Sequence, residues 1–318
     1  MTKQRARPTL ARRFRAPVAR RIGEPETVGW LASVNRELRC DEEASQIDWN
    51  GPMARFWADH DDWYDALLAG HGEALFAASA PQPGEHVLDI GCGCGSTTLQ
   101  AARAVAPGDG TALGVDISQS MIDRARSRAA GAGVENARFE LGDLERAELG
   151  PARFDLAISR YGVMFFGDHG AAFANIRSAM RPGGRLAFTC WADRAGNENW
   201  TLPFDALAPH LGLAPPVDRP DGPFAFADPR YVRTMLDRAG WRGVEINRLQ
   251  EPLRVGDDAD AALAFEVSDP DTAEDLAAAD PATAARAVAD LRAAFAARQR
   301  PDGVWLAADA WVVTAVAG

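Results

Sequence analysis

The stretch V-L-D-I-G-C-G-C-G, residues 87–95, decides the fold of this chain. Its first half is a short apolar run that predicts a buried strand, and a helical pattern begins directly after it at Ser96. The three alternating glycines between them can adopt backbone angles closed to other residues and let a ligand approach the chain closely. The stretch therefore predicts a strand, a tight turn and a helix, with a ligand site at the turn.

Short apolar runs and longer amphipathic stretches alternate on both sides of this turn. The predicted strands are His86–Ile90, Ala112–Val115, Ala137–Leu141, Phe154–Ser159, Arg185–Cys190 and Gly243–Leu249. The predicted helices are Ser96–Ala106, Ser118–Ala130, Gly170–Met180 and Arg230–Ala239. This alternation predicts an α/β fold with a doubly wound, Rossmann-like sheet of about seven mostly parallel strands. The apolar run Trp311–Val316 predicts an antiparallel edge strand.

The remaining segments divide the chain into parts of different character. Residues 1–26 form a basic arm that we expect to be disordered, and residues 27–80 show helical spacing that predicts a helical preface. Residues 81–318 then form the α/β domain. Two insertions are expected in it: a lid-like loop at about 191–229, rich in Pro, Asp and Gly, and a helical insertion at about 257–300.

Composition and charge narrow the class of protein. The chain has 318 residues, 47% of them hydrophobic, and no apolar run long enough to span a membrane. We expect a cytoplasmic protein, since the N-terminus also lacks the apolar segment of a secretory signal. Cysteines number only four, at positions 40, 92, 94 and 190, which gives no basis for a disulfide framework.

The charge is unevenly distributed along the chain. Eight positive charges precede Glu24, and removing them from the net charge of −11 leaves −19 for the rest. A body that acidic repels phosphate backbones, so a nucleic acid partner is disfavoured, although the basic arm alone could contact one.

The spacing of the glycine turn indicates the charge of its ligand. Dinucleotide enzymes use G-x-G-x-x-G so that a pyrophosphate sits on the helix N-terminus, but Ser96 occupies the sixth position here. Asp89, two residues before the first glycine, would repel a pyrophosphate. The turn therefore favours a cationic cofactor.

Two further acids follow the next two predicted strands. Asp116 can accept hydrogen bonds from both hydroxyls of a ribose, and Asp143 can accept one from an adenine amino group. Ligands of open α/β sheets bind outside the carboxyl ends of the strands, so these acids and the glycine turn are expected to share one crevice.

These motifs resemble those of class I S-adenosylmethionine-dependent methyltransferases. The resemblance is carried by V-L-D-I-G-C-G-C-G, G-V-D-I-S, G-D-L and L-A-F-T-C-W, which follow that family's order, with R-P-G-G before the last of these strands. W-N-G-P at residues 49–52, S-R-Y-G-V-M-F-F at 159–166 and W-V-V-T at 311–314 resemble a bacterial subgroup related to the ubiquinone and menaquinone C-methyltransferases. The resemblance implies S-adenosylmethionine as the cofactor.

The resemblance also implies the residues of the cofactor site. Gly91 and Gly93 would carry the methionine part, Asp116 the ribose, and Ile117 with Met121 the adenine face. The full set implied is Asp89, Gly91, Cys92, Gly93, Gly95, Asp116, Ile117, Met121, Gly142, Asp143, Leu144, Ser159 and Arg160. Ser159 and Arg160 would lie beside the sulfonium, next to the acceptor.

Aromatic side chains in the preface and after the fourth and fifth strands are candidates for the acceptor pocket. They are Trp49, Trp57, Tyr64, Tyr161, Met164, Phe165, Trp191 and Trp200, with Met164 as the one thioether. His169 is a candidate general base, although a structural role at a helix start is favoured, and the other histidines carry no distinct signal. C-x-C at Cys92 and Cys94 lacks the spacing and the partner pair of a zinc site, so no metal is expected.

Three functions fit these features. The first is methyl transfer from S-adenosylmethionine to an oxygen, nitrogen or carbon atom of a small molecule, by in-line displacement. The second is methylation of a peptide, protein or RNA, with the basic arm as the docking element. The third is S-adenosylmethionine binding without catalysis.

Deleting residues 1–26 distinguishes the first two functions. We expect turnover on a small acceptor to be unchanged, because the cofactor motifs all lie after residue 80. A steady-state assay on the full and shortened chains measures this, and a large loss of turnover on deletion would favour the docking role of the arm.

Overall fold

The computed structural model describes residues 48–318, and its strands follow the predicted alternation. The strands are β1 (His86–Ile90), β2 (Thr111–Asp116), β3 (Ala137–Leu141), β4 (Phe154–Arg160), β5 (Met180–Trp191), β6 (Trp241–Leu249), β7 (Leu253–Gly256), β8 (Gln299–Arg300), β9 (Gly303–Leu306) and β10 (Ala310–Ala317). The predicted arm, residues 27–47 of the preface and Cys40 lie outside the described residues.

The four helices predicted between the strands are present with small shifts of their ends, and further helices accompany them. They are α1 (Pro52–Asp59), α2 (Asp61–Leu67), α3 (Ala69–Ser79), α4 (Ser96–Val105), α5 (Gln119–Ala132), α6 (His169–Ser178), α7 (Glu198–Leu211), α8 (Pro229–Arg238), α9 (Ala259–Glu266), α10 (Pro270–Ala278) and α11 (Pro281–Ala296). Helices α1 to α3 belong to the predicted preface. None of the helices within residues 48–318 is long and apolar enough to cross a membrane.

The main sheet has seven strands in the order β3-β2-β1-β4-β5-β10-β6. Neighbours from β3 to β5 pair in parallel, and β10 runs antiparallel to both β5 and β6. The chain reverses its direction of progress between β1 and β4, which places the crevice expected for a ligand at the carboxyl ends of these two strands. The predicted Rossmann-like sheet with an antiparallel strand is confirmed.

Two strands differ in detail from the prediction. Strand β10 lies second from the edge, because β6 pairs along its outer side. Val312 and Val313 of β10 are both buried, one on each face of the sheet. Strand β5 begins at Met180 rather than at Arg185, because Met180 also pairs with Phe154 across an irregularity in the ladder. Apolar patterning gives the existence of a strand but not its neighbours.

Both faces of the sheet are covered. Val87 and Leu88 are adjacent on β1, yet Val87 packs in the core on one face with Leu75 of α3, while Leu88 packs in the larger core on the other face with Phe188. Alternating side chains of one strand point to opposite faces. A strand buried on both faces reads as a continuous apolar run, which is why β1 was recognisable in the sequence.

The segment predicted as a loop at about 191–229 contains a helix of 14 residues, α7. Pro203 and Pro209 lie inside this helix and led to its interpretation as a loop, since proline lacks the backbone N–H of the helical ladder. Burial overrides that cost, because Leu202, Pro203 and Leu207 are buried and α7 packs along α11.

The helical insertion follows the sequence signals more closely. Pro270 and Pro281 occupy the first turns of α10 and α11, where a missing N–H costs nothing. Asp269 and Asp280 precede them and accept hydrogen bonds from backbone N–H groups of these first turns. A small sheet with the order β7-β9-β8 flanks this region and was not predicted.

Asn197 connects the start of α7 to the start of β10. Its side-chain amide donates to the carbonyl of Asp309 at 3.0 Å and accepts from the N–H of Asp309 at 2.9 Å, and Asn197 is fully buried. The two bonds give hydrogen-bond partners to the buried N–H and carbonyl of Asp309.

Asn197→Ala is therefore expected to lower the free energy of unfolding by about 1–3 kcal/mol, since a buried N–H loses its partner. Asn199→Ala is the matched control, because the buried Oδ1 of Asn199 has no hydrogen-bond partner among the described residues. Denaturant titration of both variants measures the difference, and equal losses would contradict the role of Asn197.

Candidate functional site

The three glycines of the turn have different surroundings. All have positive φ angles, +60° at Gly91, +52° at Gly93 and +81° at Gly95, which favour glycine. A Cβ at Gly91 would lie 2.8 Å from Cα of Gly162, and one at Gly95 would lie 2.7 Å from the ring of Phe139. At Gly93 the nearest atom within 4 Å would be the sulfur of Met121, at 3.9 Å. Gly91 and Gly95 thus permit close packing, and Gly93 borders open space.

Asp89 lies at the end of β1, fully buried beneath the first turn of α4. Its Oδ2 accepts hydrogen bonds from the hydroxyls of Thr97 and Thr98, both at 2.6 Å. Its Oδ1 has no partner among the described residues. Burial raises the pKa of Asp89 to about 6, and the two threonine hydrogen bonds oppose that rise. One carboxylate oxygen is therefore left to accept from a donor or a cation.

Asp116 ends β2 and is held by backbone groups on two sides. Its Oδ2 accepts from the N–H of Gly93 at 2.8 Å, and its Oδ1 accepts from the N–H of Ser118 at 2.9 Å. Burial raises the pKa of Asp116, although these hydrogen bonds oppose the rise. A carboxylate oxygen has more than one lone pair, so each can still accept from a ligand hydroxyl.

The loops after β2 and β3 complete this side of the crevice. Ile117 is 44% exposed although it is apolar, whereas Met121 and Leu144 are buried. Asp143 accepts from the N–H of Glu145 at 2.9 Å. Gly142 donates its N–H to the carbonyl of Asp116 at 2.9 Å, which fixes one loop against the other. Of the residues predicted at the adenine site, Ile117 thus offers an exposed apolar face, and Met121 and Leu144 are buried beneath the surface.

Asn50, the second residue of W-N-G-P, also belongs to this region. Its Oδ1 accepts from the N–H of Gln119 at 3.0 Å, and its Nδ2 donates to the carbonyl of Ile117 at 3.4 Å. Asn50 thereby satisfies a free N–H at the start of α5. Asn50 makes these bonds with residues that follow it by 67 and 69 positions, so no local pattern could have indicated them.

Ser159 and Arg160, predicted beside the sulfonium, have other partners here. Ser159 is fully buried, donates its hydroxyl to the carbonyl of Ile90 at 2.7 Å and accepts from the N–H of Gly162 at 3.1 Å. It therefore positions the loop after β4 against the glycine turn. Arg160 donates to Asp65 of α2 at 2.9 Å.

Five charged side chains, Asp61, Asp65, Arg124, Arg128 and Arg160, form a network between α2, α5 and the end of β4. Arg128 lies 3.1 Å from Asp61 and 2.6 Å from Asp65, and it donates to the carbonyl of Cys94 in the glycine turn at 3.2 Å. Burial alone would raise the pKa of Asp65, but the two arginines beside it hold that pKa below its usual value. The network joins the preface helices to the turn.

Tyr161 follows β4 with a φ of +62°, in the left-handed region that is strained for a side chain of this size. Its ring stacks on Trp191 with centroids 4.1 Å apart and an interplanar angle of 17°. Its hydroxyl is hydrogen-bonded to Nδ1 of His71, and Nε2 of His71 contacts the carbonyl of Glu251 at 2.7 Å. His71, which has no distinct signal in the sequence, is thus a buried partner of a candidate pocket residue.

His169 has both ring nitrogens engaged. Nε2 contacts the carbonyl of Met164 at 3.1 Å and Nδ1 contacts the hydroxyl of Tyr231 at 2.8 Å. Burial lowers the pKa of His169. Together with Asp168, which caps α6, this supports the structural role at a helix start that the sequence favoured.

The remaining acceptor candidates separate into two places. Trp49 packs 4.8 Å from Phe165 and 5.3 Å from Trp57, which in turn packs 5.9 Å from Tyr64. Trp200 packs instead against Phe224, at 5.5 Å. Met164 is fully buried in the core. The preface aromatics and Phe165 therefore form one continuous apolar wall.

The cysteines of the turn have unreactive surroundings. Cys92 is buried and donates to the carbonyl of Gly93, and burial raises the pKa of both thiols, that of Cys94 to about 12. Within residues 48–318, no group of three or more His, Cys, Asp or Glu side chains is placed to hold a metal ion.

Comparison with known proteins agrees with this geometry. Residues 81–206 match the family model described as a methyltransferase domain. The fold is a Rossmann-like fold that solved methyltransferases share. It resembles a Bacillus subtilis protein, YcgJ, with a TM-score of 0.51 and 18% identity over 78% of this chain and 98% of that one. It also resembles phosphoethanolamine N-methyltransferase 2 of Haemonchus contortus in complex with S-adenosyl-L-methionine, with a TM-score of 0.51 and 17% identity over 81% and 57% of the two chains.

Two curated relatives are more similar in sequence. Aklanonic acid methyltransferase of a Streptomyces species is 38% identical over 42% of this chain and 58% of its own length. Nocamycin O-methyltransferase of Saccharothrix syringae is 31% identical over 55% of this chain and 65% of its own length. The chain thus spans less than two thirds of the length of these relatives.

The surroundings of the glycines predict different effects of alanine at two positions. Gly91→Ala and Gly93→Ala each place a side chain at positive φ, at a cost of about 1–3 kcal/mol. Gly91→Ala adds a clash with Gly162, worth about 1–3 kcal/mol more, whereas Gly93→Ala meets open space. Denaturation of both variants measures this, and equal losses of stability would show that the backbones at Gly91 and Gly162 are not in close contact.

Proposed function

We propose that this chain transfers the methyl group of S-adenosylmethionine to a small-molecule acceptor by in-line displacement. The observation that carries the proposal is the carboxylate of Asp116, fixed between the N–H groups of Gly93 and Ser118 beside the open space at Gly93. A carboxylate in that place suits the two hydroxyls of a ribose.

The charge of the turn suits the same cofactor. The unpartnered Oδ1 of Asp89 supplies a negative group beside the glycines, and a pyrophosphate would be repelled there. Ile117 offers an exposed apolar face for a flat ring, and Asp143 lies after the next strand as an acceptor. When bound, S-adenosylmethionine supplies a methyl group on a positively charged sulfur, which is already a good leaving group.

The chain's own task is then to position the acceptor and to exclude water. Ser159 and the Gly91–Gly162 contact hold the ends of β1 and β4 together, and the preface helices cover the turn through Arg128. Holding two reactants in line supplies roughly 7–11 kcal/mol of the barrier reduction. The chain therefore needs no nucleophile of its own.

The names of the relatives support an oxygen atom as the methyl acceptor. One is an O-methyltransferase and both names refer to small molecules. The apolar wall of Trp49, Trp57, Tyr64 and Phe165 suits an aromatic or polycyclic acceptor. The kinship with quinone C-methyltransferases and the cytoplasmic location stay predictions.

Asp116→Ala is expected to weaken S-adenosylmethionine binding by about 1–3 kcal/mol, since it removes hydrogen bonds to a charged acceptor. Asp155→Ala is the matched control, because the carboxylate of Asp155 also accepts from a backbone N–H, that of His86 at 2.8 Å, at the amino ends of β1 and β4. Titration calorimetry measures both affinities. Unchanged binding in Asp116→Ala would contradict the assigned pocket.

Methyl transfer is tested by mixing the wild-type protein with S-adenosylmethionine and a panel of small hydroxyl compounds. Formation of S-adenosylhomocysteine together with a methylated product supports transfer. Tight binding with no product from any small molecule, peptide or RNA would instead support a binding protein without catalysis.

A further inference from the structure

We infer that Tyr161 and His71 form a proton relay that takes the proton of an acceptor hydroxyl as the methyl group is transferred, and that the acceptor is a phenol or an enol. The inference rests on the proposed methyl transfer. It assigns catalysis to a tyrosine and a histidine that lie 90 residues apart in the chain.

The partners of His71 fix the direction of the relay. The carbonyl of Glu251 can only accept, so Nε2 of His71 carries the proton in the bond between them. In a neutral ring Nδ1 is then an acceptor, and the hydroxyl of Tyr161 donates to it. Tyr161 Oη keeps lone pairs for one further donor, such as an acceptor hydroxyl.

The backbone places Tyr161 at the junction of the two sites. The next residue, Gly162, contacts Gly91 of the cofactor turn so closely that a Cβ on either would clash. Tyr161 donates its N–H to the carbonyl of Thr189 at 3.2 Å, which helps hold its strained φ of +62°. Strain of this kind is retained where the surrounding structure imposes it, commonly at functional sites.

A second observation points to a ligand at the same place. Thr189 is fully buried, and its hydroxyl has no hydrogen-bond partner among the described residues. It lies two residues before Trp191 on β5, so both side chains leave the sheet on one face. Trp191 stacks on Tyr161 and packs 5.7 Å from the ring of His71. An unpaired donor therefore lies on the face of the sheet that carries the relay.

The groups around His71 keep it neutral. Burial lowers its pKa and Arg160 acts in the same direction, while the carbonyl and carboxylate of Glu251 oppose the change. Burial raises the pKa of Tyr161, with Cys190 adding to the rise and Arg160 opposing it. At neutral pH the pair is thus an uncharged tyrosine donating to an uncharged imidazole, which is ready to receive one proton.

The transfer then balances in atoms and charge. The acceptor oxygen forms a bond to the methyl carbon while the methyl–sulfur bond breaks, and the electron pair of that bond stays on sulfur. The proton of the acceptor moves to Oη of Tyr161, and the proton of Tyr161 moves to Nδ1 of His71. The positive charge of the sulfonium is thereby replaced by that of the imidazolium, which later releases its proton to water.

This chemistry selects the class of acceptor. A histidine whose pKa is lowered is a weak base, so it serves an acidic hydroxyl, that of a phenol or an enol, better than an aliphatic alcohol. A tertiary amine or a thioether has no proton to lose and would not need the relay. The stacked rings of Tyr161 and Trp191 also suit a flat acceptor.

The test compares two acceptors in the full-length protein: phenol, which is un-ionised at neutral pH, and 4-nitrophenol, which is ionised at mildly alkaline pH. The variants are Tyr161→Phe and His71→Asn. Tyr231→Phe is the matched control, because Tyr231 also pairs through its hydroxyl with Nδ1 of a buried histidine whose Nε2 contacts a backbone carbonyl.

We expect Tyr161→Phe and His71→Asn to lower kcat for phenol about 10²-fold or more, the contribution typical of a general base. Turnover of the 4-nitrophenolate should change only a few-fold, because that acceptor has already lost its proton. S-adenosylmethionine binding, measured by calorimetry, should be unchanged. Tyr231→Phe should leave both acceptors unaffected.

Two further measurements distinguish proton transfer from a structural role. In the wild-type protein kcat for phenol should fall as pH is lowered through the pKa of His71, since the protonated ring cannot accept, and His71→Asn should lose that dependence. Nitrogen NMR of the free protein should show His71 neutral, with the proton on Nε2.

Several outcomes would overturn the relay. They are equal losses on phenol and 4-nitrophenolate, a proton on Nδ1 of His71, or a charged His71 at neutral pH. Wild-type protein that binds S-adenosylmethionine but methylates neither phenol would overturn the acceptor class and leave the cofactor site intact. Failure to bind S-adenosylmethionine would overturn the proposed function itself.

Discussion

The close approach of two backbones, at Gly91 and Gly162, is the constraint on which the rest of the site depends. No side chain fits between them, so the turn after β1 and the loop after β4 touch directly. The contact brings Asp89 and the backbone of Gly93 near Tyr161, and Ser159 reinforces it with a buried hydrogen bond to Ile90. The groups proposed for the cofactor and for the acceptor thus lie together at the closely packed ends of β1 and β4. In-line displacement needs its two reactants held in a fixed relative position.

The sequence predicted the parts of the molecule that local patterns describe. The parallel strands, the glycine turn and the acids after successive strands could be read because burial on both faces leaves continuous apolar runs, and because positive φ angles demand glycine. Helix α7 was missed because Pro203 and Pro209 contradict it locally, and only packing along α11 compensates. The position of β10 was missed because apolar patterning does not encode strand order.

The site residues that the sequence missed have long-range partners. Asn50 bonds to the start of α5, and His71 bonds to Tyr161 and Glu251 from a helix whose sequence marks it only as apolar. A lone histidine carries no sequence signal for such a pairing. The opposite holds for His169, whose position beyond β4 suggested chemistry, although both of its ring nitrogens are engaged, by Met164 and Tyr231.

The charged network between the preface and the turn constrains how this chain can evolve. Asp61 and Asp65 each contact two arginines, and Arg128 contacts both acids and the carbonyl of Cys94. Removing one of these partners leaves a poorly solvated charge uncompensated, which lowers stability more than replacing all the interacting side chains at once. Substitutions of Asp61 or Asp65 should therefore persist only alongside changes at their arginine partners, which couples this part of the preface to the cofactor turn in evolution.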